Sequence, residues 1–425
     1  MNTRIQHLEQ QLDNFDAAER REALAELWSL AQRGDISFSK APAVNLHTHT
    51  FYSYNAYGYS PTKFAWLARK AGLLAAGIVD FDVLDGLEEF LEAGRLLGLK
   101  TCASLESRVF VPEFASRVIN SPGEPGISYH MGVGFPYAVE HPFLNKMRER
   151  AVARNRELVG RVNRFTAPVT VDYDRDVLPL TPKGNATERH ICEAYAKKGD
   201  REFWLRKLGQ CPAEPAALQA LIRAKTMKQG GPGYVQPDKG SFPRMADINR
   251  FVLESGAIPT VTWLDGTSEG ERAIDELLDV ATSTGVAAIN IIPDRNFTPG
   301  EKTQKLENLQ LIIATAARRH LPIIVGTEMN APGCKFVDDF TADELAPFWP
   351  HFLNGAFIAY AHTVLQRRCR MGYLSRWARD RFPDTKAKNE FFVLLGARLE
   401  PAREDLLRDV TDECTPSEIL NLMKS

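Results

Sequence analysis

Short apolar runs of strand length, each followed by an amphipathic helical stretch, recur along most of this chain and restrict what it can become. The runs are AAGIVDF (75 to 81), KTCASLE (100 to 106), AIPTVTW (257 to 263), VAAINII (286 to 292) and LPIIVGTE (321 to 328), with VNLHTH ahead of them. Alternation of strand and helix implies a mainly parallel sheet or a barrel. Local signals agree with the period. Ser60-Pro61 is an N-cap and first-turn pair opening a helix that Gly72 should stop, and DGLEEFLEAGRLLG has a helical face. A further strand is expected at 127 to 134 (ISYHMGVG), and GAFIAYAH (355 to 362) reads as a last one.

Two regions break the alternation. Residues 3 to 33 have a helical period through Ile5, Leu8, Leu12, Leu24 and Leu27, a helical arm or cap. Residues 141 to 245 are polar and rich in Arg, Glu, Lys, Pro and Gly, with turn-rich pieces LPLTPKGN and QGGPGYVQPDKGSFP. The expected organisation is a helical extension over 1–40, a barrel from 41–140 and 246–365, a mostly helical insertion over 141–245 and a helical segment over 366–425. In the last of these, Thr415 and Glu418 have the spacing of a capping box.

Fifty-two basic against 54 acidic residues, a net charge of −2, give no electrostatic case for nucleic acid or an anionic membrane as the main partner. A small molecule, anionic if the basic residues near the expected site serve it, is the partner this balance leaves, and a homo-oligomer fits the amphipathic N-terminal helix. Six scattered cysteines without Cys-x-x-Cys spacing, and no apolar signal core in MNTRIQHLEQQLDNF, are the expectation for a reduced, cytoplasmic protein. No run approaches the roughly 20 apolar residues that span a bilayer.

NLHTHT (45 to 50) carries the chemistry. Residues i and i+2 of a strand face one side, so His47 and His49 can converge on one metal ion. Alone, such a pair reads as surface or capping histidines. Its weight comes from the polar and acidic residues that end later strands, where the sites of (β/α) barrels are built.

These residues resemble the PHP (polymerase and histidinol phosphatase) domain, a distorted seven-stranded (β/α) TIM-like barrel carrying up to three metal ions. The resemblance covers residues 43 to 135 and 250 to 365, and rests on HTHT, the Glu closing KTCASLE, the His in ISYHMGVG, and GTEMN where the family usually has Asp-x-His. It implies one metal position at His47, His49, Glu106 and Glu328, with Glu in place of Asp. A second would share Glu106 and use His130, but its other histidine is replaced by Trp263. The third would fall on Tyr54, Phe81 and Asn330, all poor ligands. A reduced centre of one or two ions of zinc, manganese or iron follows, with a position left for a water that the metal activates.

Around that centre, Arg108, two residues after Glu106, should share its side of the strand, and its structural alternative is a rim salt bridge. Asp265 is a candidate for the contact Trp263 cannot make, or a helix cap. Asp294, Arg295 and Asn296 follow a strand and should sit at the mouth, or simply make a turn. Lys183 and Arg189, with Lys225 and Lys228, would lend charge from an insertion acting as a lid. The expected roles are catalytic for Arg108, Asp265 and Arg295, and substrate-binding for Asp294, Asn296, Lys183, Arg189 and Asn330. The expected activity is a metal-dependent hydrolase, foremost a phosphoesterase. A catalytically silent binding protein and a hydrolase of non-phosphate bonds stand as alternatives.

Overall fold

The computed structural model describes residues 2–40, 42–236, 240–298 and 300–423. Residues 237–239, inside the turn-rich piece QGGPGYVQPDKGSFP, lie outside them. Seven strands form one sheet in the order β1 (Val44–Thr48), β2 (Ala75–Phe81), β3 (Lys100–Phe110), β4 (Ile127–Val133), β5 (Ile258–Trp263), β6 (Ala288–Ile291) and β7 (Ile323–Val325). The sheet curls until its edges meet. Thr48 bridges Glu328 in parallel, Glu328 donates its N–H to the His47 carbonyl at 2.8 Å, and His49 donates to the Glu328 carbonyl at 2.9 Å. The result is a distorted TIM-like α/β barrel. The distortion is β4, which runs antiparallel to both β3 and β5.

Gly326 makes the closure possible. A Cβ there would meet the His47 backbone N and the Asn45 side chain, so only glycine lets β7 approach β1 this closely.

Helices α1 (Asn2–Gln11) and α2 (Ala17–Gln32) pack on the outer helical layer, where Glu9 accepts from Trp66 Nε1 and Arg20 pairs with Glu89. They are followed between strands by α3 (Pro61–Ala71), capped by the Ser60 hydroxyl and stopped by Gly72 at φ +79°, and α4 (Leu87–Leu97). The long segment between β4 and β5 carries α5 (Pro142–Thr166), α6 (Glu188–Lys198), α7 (Arg201–Leu208), α8 (Pro215–Thr226) and α9 (Met245–Glu254). Leu158, Val162, Ile191, Tyr195, Trp204 and Ile222 give α5 to α8 a buried apolar cluster of their own, distinct from the barrel core. Helices α10 (Glu269–Arg272), α11 (Ile274–Ser283) and α12 (Gln304–Arg318) complete the barrel layer.

The stretch GAFIAYAH, expected as a strand, is the middle of α13 (Trp349–Cys369). It is buried on nearly every face, so it shows no amphipathic period, and a buried helix and a buried strand then read alike. The chain ends in α14 (Arg376–Arg381), α15 (Thr385–Arg398) and α16 (Pro416–Leu422), whose Thr415 and Glu418 do form the capping box. Among the described residues no helix is long and apolar enough to cross a membrane.

Candidate metal centre and cavity

His47 in β1 and His49 just past its end turn to the same side, and Glu106 in β3 faces them. Nε2 of His47 lies 3.6 Å and Nε2 of His49 3.1 Å from one oxygen of Glu106. The three ligand atoms lie within 4.8 Å of one another and form a group able to hold a metal ion. All three side chains are buried.

The other ring nitrogens fix how the imidazoles sit. His47 Nδ1 meets Asn290 Oδ1 at 3.2 Å, and His49 Nδ1 meets Ser53 Oγ at 3.1 Å. Ser53 Oγ in turn donates to buried Asp80 at 2.7 Å, and Asp80 also accepts from the Thr50 N–H and hydroxyl. Occupied Nδ1 atoms leave Nε2 as the coordinating atom, the arrangement that orients histidine for a metal. Neither Nε2 makes a directed hydrogen bond, although both are fully buried. Such orphaned atoms are rare unless something else satisfies them. Burial opposes charge on both partners, yet the contact overcomes it: His47 is raised, and Glu106 is held well below the ordinary carboxylate range by His47 and His49.

Glu328 stands beside this group but is turned to another partner. Arg295 Nη2 donates to its Oε2 at 2.6 Å. Glu328 and Met329 have φ of +60° and +52°, two consecutive non-glycine residues in the left-handed region. Strain of that kind persists where the surroundings enforce it, most often at functional sites.

His130, expected as a ligand, is not brought to the group. In the antiparallel β3–β4 ladder it pairs with Ser107, whereas Glu106 pairs with Met131. Directly opposed residues share a face and neighbours alternate, so His130 points away from Glu106. Its Nε2 meets Asn249 of α9 at 2.5 Å, and burial pushes its imidazole down to about 4. The one-residue offset puts Tyr129 on the Arg108 side instead, at the cavity wall.

A cavity of about 860 Å³ opens over the donor group, roofed by the insertion. Arg108, Arg189, Asp294, Arg295 and Asn330 line it, as do Tyr54 and Phe81, and Phe81 stacks on His49 with ring centroids 4.5 Å apart. Three other expected site residues do not line it. Asp265 pairs with Lys305 at 2.8 Å and accepts from the Thr267 N–H and hydroxyl, closing a turn. Asn296 is buried, its amide donating to the Leu264 and Ile292 carbonyls. Lys183 is exposed and pairs with Asp85 at 3.2 Å. Trp263 belongs to the barrel core.

The insertion contributes residues that sequence reasoning passed over: Arg154 and Asn155 of α5, Glu188 at the start of α6, and Arg223 of α8. Asn185 ties it to the barrel, its amide donating to the Tyr52 and Phe81 carbonyls. The signal was present on α5, where Met147, Arg150, Ala151, Arg154, Asn155 and Leu158 follow the three-and-four spacing of one helical face, all bordering the cavity.

No protein-family model and no curated protein sequence matches the chain. Solved structures do. An amidohydrolase from Chromobacterium violaceum, with bound sulfate and no metal, is 18% identical at a TM-score of 0.52, over 72% of this chain and 95% of that one. A protein proposed to be a metal-dependent phosphoesterase, from Bifidobacterium adolescentis, is 19% identical at a TM-score of 0.50, over 73% and 97%. At such identities the likeness is one of fold.

Proposed function

We propose that the protein is a metal-dependent hydrolase of a small anionic substrate, foremost a phosphoesterase. The observation that carries this is the convergence of His47, His49 and Glu106 under a cavity of about 860 Å³ lined by several arginines, with neither buried Nε2 atom in a directed hydrogen bond. Two imidazoles and a carboxylate suit zinc, manganese or iron. A divalent ion held there would polarise a substrate oxygen and lower the pKa of water.

The chain's own residues supply the rest. Asn290 and Ser53 hold the imidazoles in position. Arg108 and Arg295 stand over the donor group, where guanidinium N–H donors can neutralise charge developing on a departing phosphate. The insertion roofs the cavity and limits water. A phosphoesterase and an amidohydrolase among the structures of like fold support the class and leave the bond open.

The pairing of Glu328 with Arg295 favours a second reading, a protein that retains metal without turnover. Elemental analysis of protein purified without chelator or affinity-tag metal tests both. One or more ions per chain, lost in His49→Ala together with hydrolysis of aryl phosphates, supports the hydrolase. Stoichiometric metal without turnover on aryl phosphates, amides or lactones supports the silent protein. Absence of metal after reconstitution overturns both.

A further inference from the structure

The charges in the cavity are unevenly matched. On the barrel side Arg108 pairs with Glu124 at 2.8 Å and Arg295 with Glu328 at 2.6 Å. On the insertion side a single carboxylate, Glu188, serves both Arg223 at 2.9 Å and Lys228 at 2.7 Å. Arg154 of α5 and Arg189 in the first turn of α6 line the same cavity, and among the described residues neither has an ion-pair partner. Asp82, Glu188 and Glu124 act on Arg154 through space without reaching it.

Arg154 is nevertheless held in place. Its guanidinium lies 5.0 Å from the ring centroid of Phe242, and that of Arg108 lies 4.3 Å from the same ring. Stacking on an aromatic engages the face of a guanidinium and leaves its in-plane N–H donors, the fork that grips an oxyanion. Both arginines are half-buried. Burial pushes Arg154 down to about 10, with Arg108 adding to it, and lowers Arg189, with Arg223 adding to it. Withdrawing cations from water beside other cations is unfavourable unless something compensates it. An anion arriving in the cavity would do so.

We propose that Arg154 and Arg189 form an anion subsite on the insertion wall, which takes a second acidic group of the substrate, carboxylate or phosphate, away from the end that meets His47, His49 and Glu106. The substrate is therefore a small molecule with two acidic groups. This deepens the hydrolase reading, and only the word substrate rests on it, since the subsite needs no metal.

The test uses metal-free full-length protein and calorimetric titration with inorganic phosphate and, separately, succinate. Saturable binding of at least one probe is expected, weakened roughly tenfold or more in Arg154→Gln and in Arg189→Gln, and weakened less in Arg154→Lys, which keeps the charge and loses the fork. His49→Ala should bind as wild type. The preferred probe identifies the acidic group. Melting curves establish that each variant is folded, and if Arg154→Gln has lost its transition, Arg189→Gln decides. No saturable binding of either probe, or glutamine variants that bind as wild type, overturns the subsite. Anion binding that persists where metal and turnover are absent leaves the subsite standing and removes the hydrolase. Turnover with unaltered anion binding in the glutamine variants does the reverse.

Discussion

Replacing His130 separates a metal ligand from a structural histidine. His130 and Asn249 are both fully buried, and Asn249 spends its amide on Thr284 Oγ1 at 2.9 Å, so its Oδ1 depends on His130 for a donor. His130→Leu keeps the volume and orphans that acceptor, a cost of about 1–3 kcal/mol. Part is returned, because His130 Nδ1 is itself buried without a partner. A net loss of about 1 kcal/mol at pH 8 is expected.

The pH dependence sharpens this. The imidazole is held down to about 4 in the folded protein against an ordinary 6.5, chiefly by burial. Below pH 6.5 the unfolded chain takes up a proton that the folded one does not, so stability falls as pH falls, and falls no further below about 4. At about 1.4 kcal/mol per pH unit, the wild type loses roughly 2 kcal/mol from this group by about pH 5. His130→Leu has no such loss. The variant should be less stable than wild type at pH 8 and equal or more stable at pH 5, with the two curves crossing between. Urea midpoints on metal-free protein measure this, and metal content should be unchanged. Parallel stability curves, or a His130→Leu variant that loses its metal, would refute the register argument.

Three further outcomes follow from the site and the closure of the barrel. Ser53→Ala removes the partner of His49 Nδ1 and one of the donors to Asp80, which Thr50 still serves, and should weaken metal binding by about 10- to 100-fold and lower the stability of the metal-free protein by about 1–3 kcal/mol; competition with a chromophoric chelator and urea midpoints read the two effects. Arg295→Gln frees Glu328 and removes a cation near the donor group, so metal Kd should fall. Arg295 is 45% exposed and screened, so the gain should be only a few-fold, and an unchanged or weaker affinity would show that Glu328 does not reach the ion. Gly326→Ala should destabilise by about 1–3 kcal/mol or more in urea and lower metal affinity, because the added methyl displaces the His47 backbone.

What could be read from the sequence divides along the range of the physics involved. His47 and His49 were legible because strand period alone puts them on one face, whereas Glu106, two strands away in β3, was reached through the resemblance, as the acid that closes KTCASLE. The cap at Ser60 needed only the adjacent Pro61, and that at Thr415 only Glu418 three residues on. His130 required the β3–β4 register. There a shift of one residue exchanges the faces of the strand, and no local feature of ISYHMGVG specifies it. Asp265, Asn296 and Lys183 were candidates by position, but Lys305, the Leu264 carbonyl and Asp85 claim them, and those partners are set by loop packing.

The insertion extends the same logic. Arg154, Arg189 and Phe242 are separated by up to 88 positions and border one cavity only because α5 to α8 build their own core and lean on the barrel through Asn185. Half of the cavity wall is thus placed by tertiary packing. A donor group anchored on short-range strand geometry therefore faces a specificity wall anchored on an insertion. Substitutions in α5 and α6 should change which acid is bound while leaving His47, His49 and Glu106 able to hold metal. Binding selectivity among diacids, measured on Arg189→Gln beside its metal content, tests that separation: loss of both together would mean that the wall and the donor group are one unit.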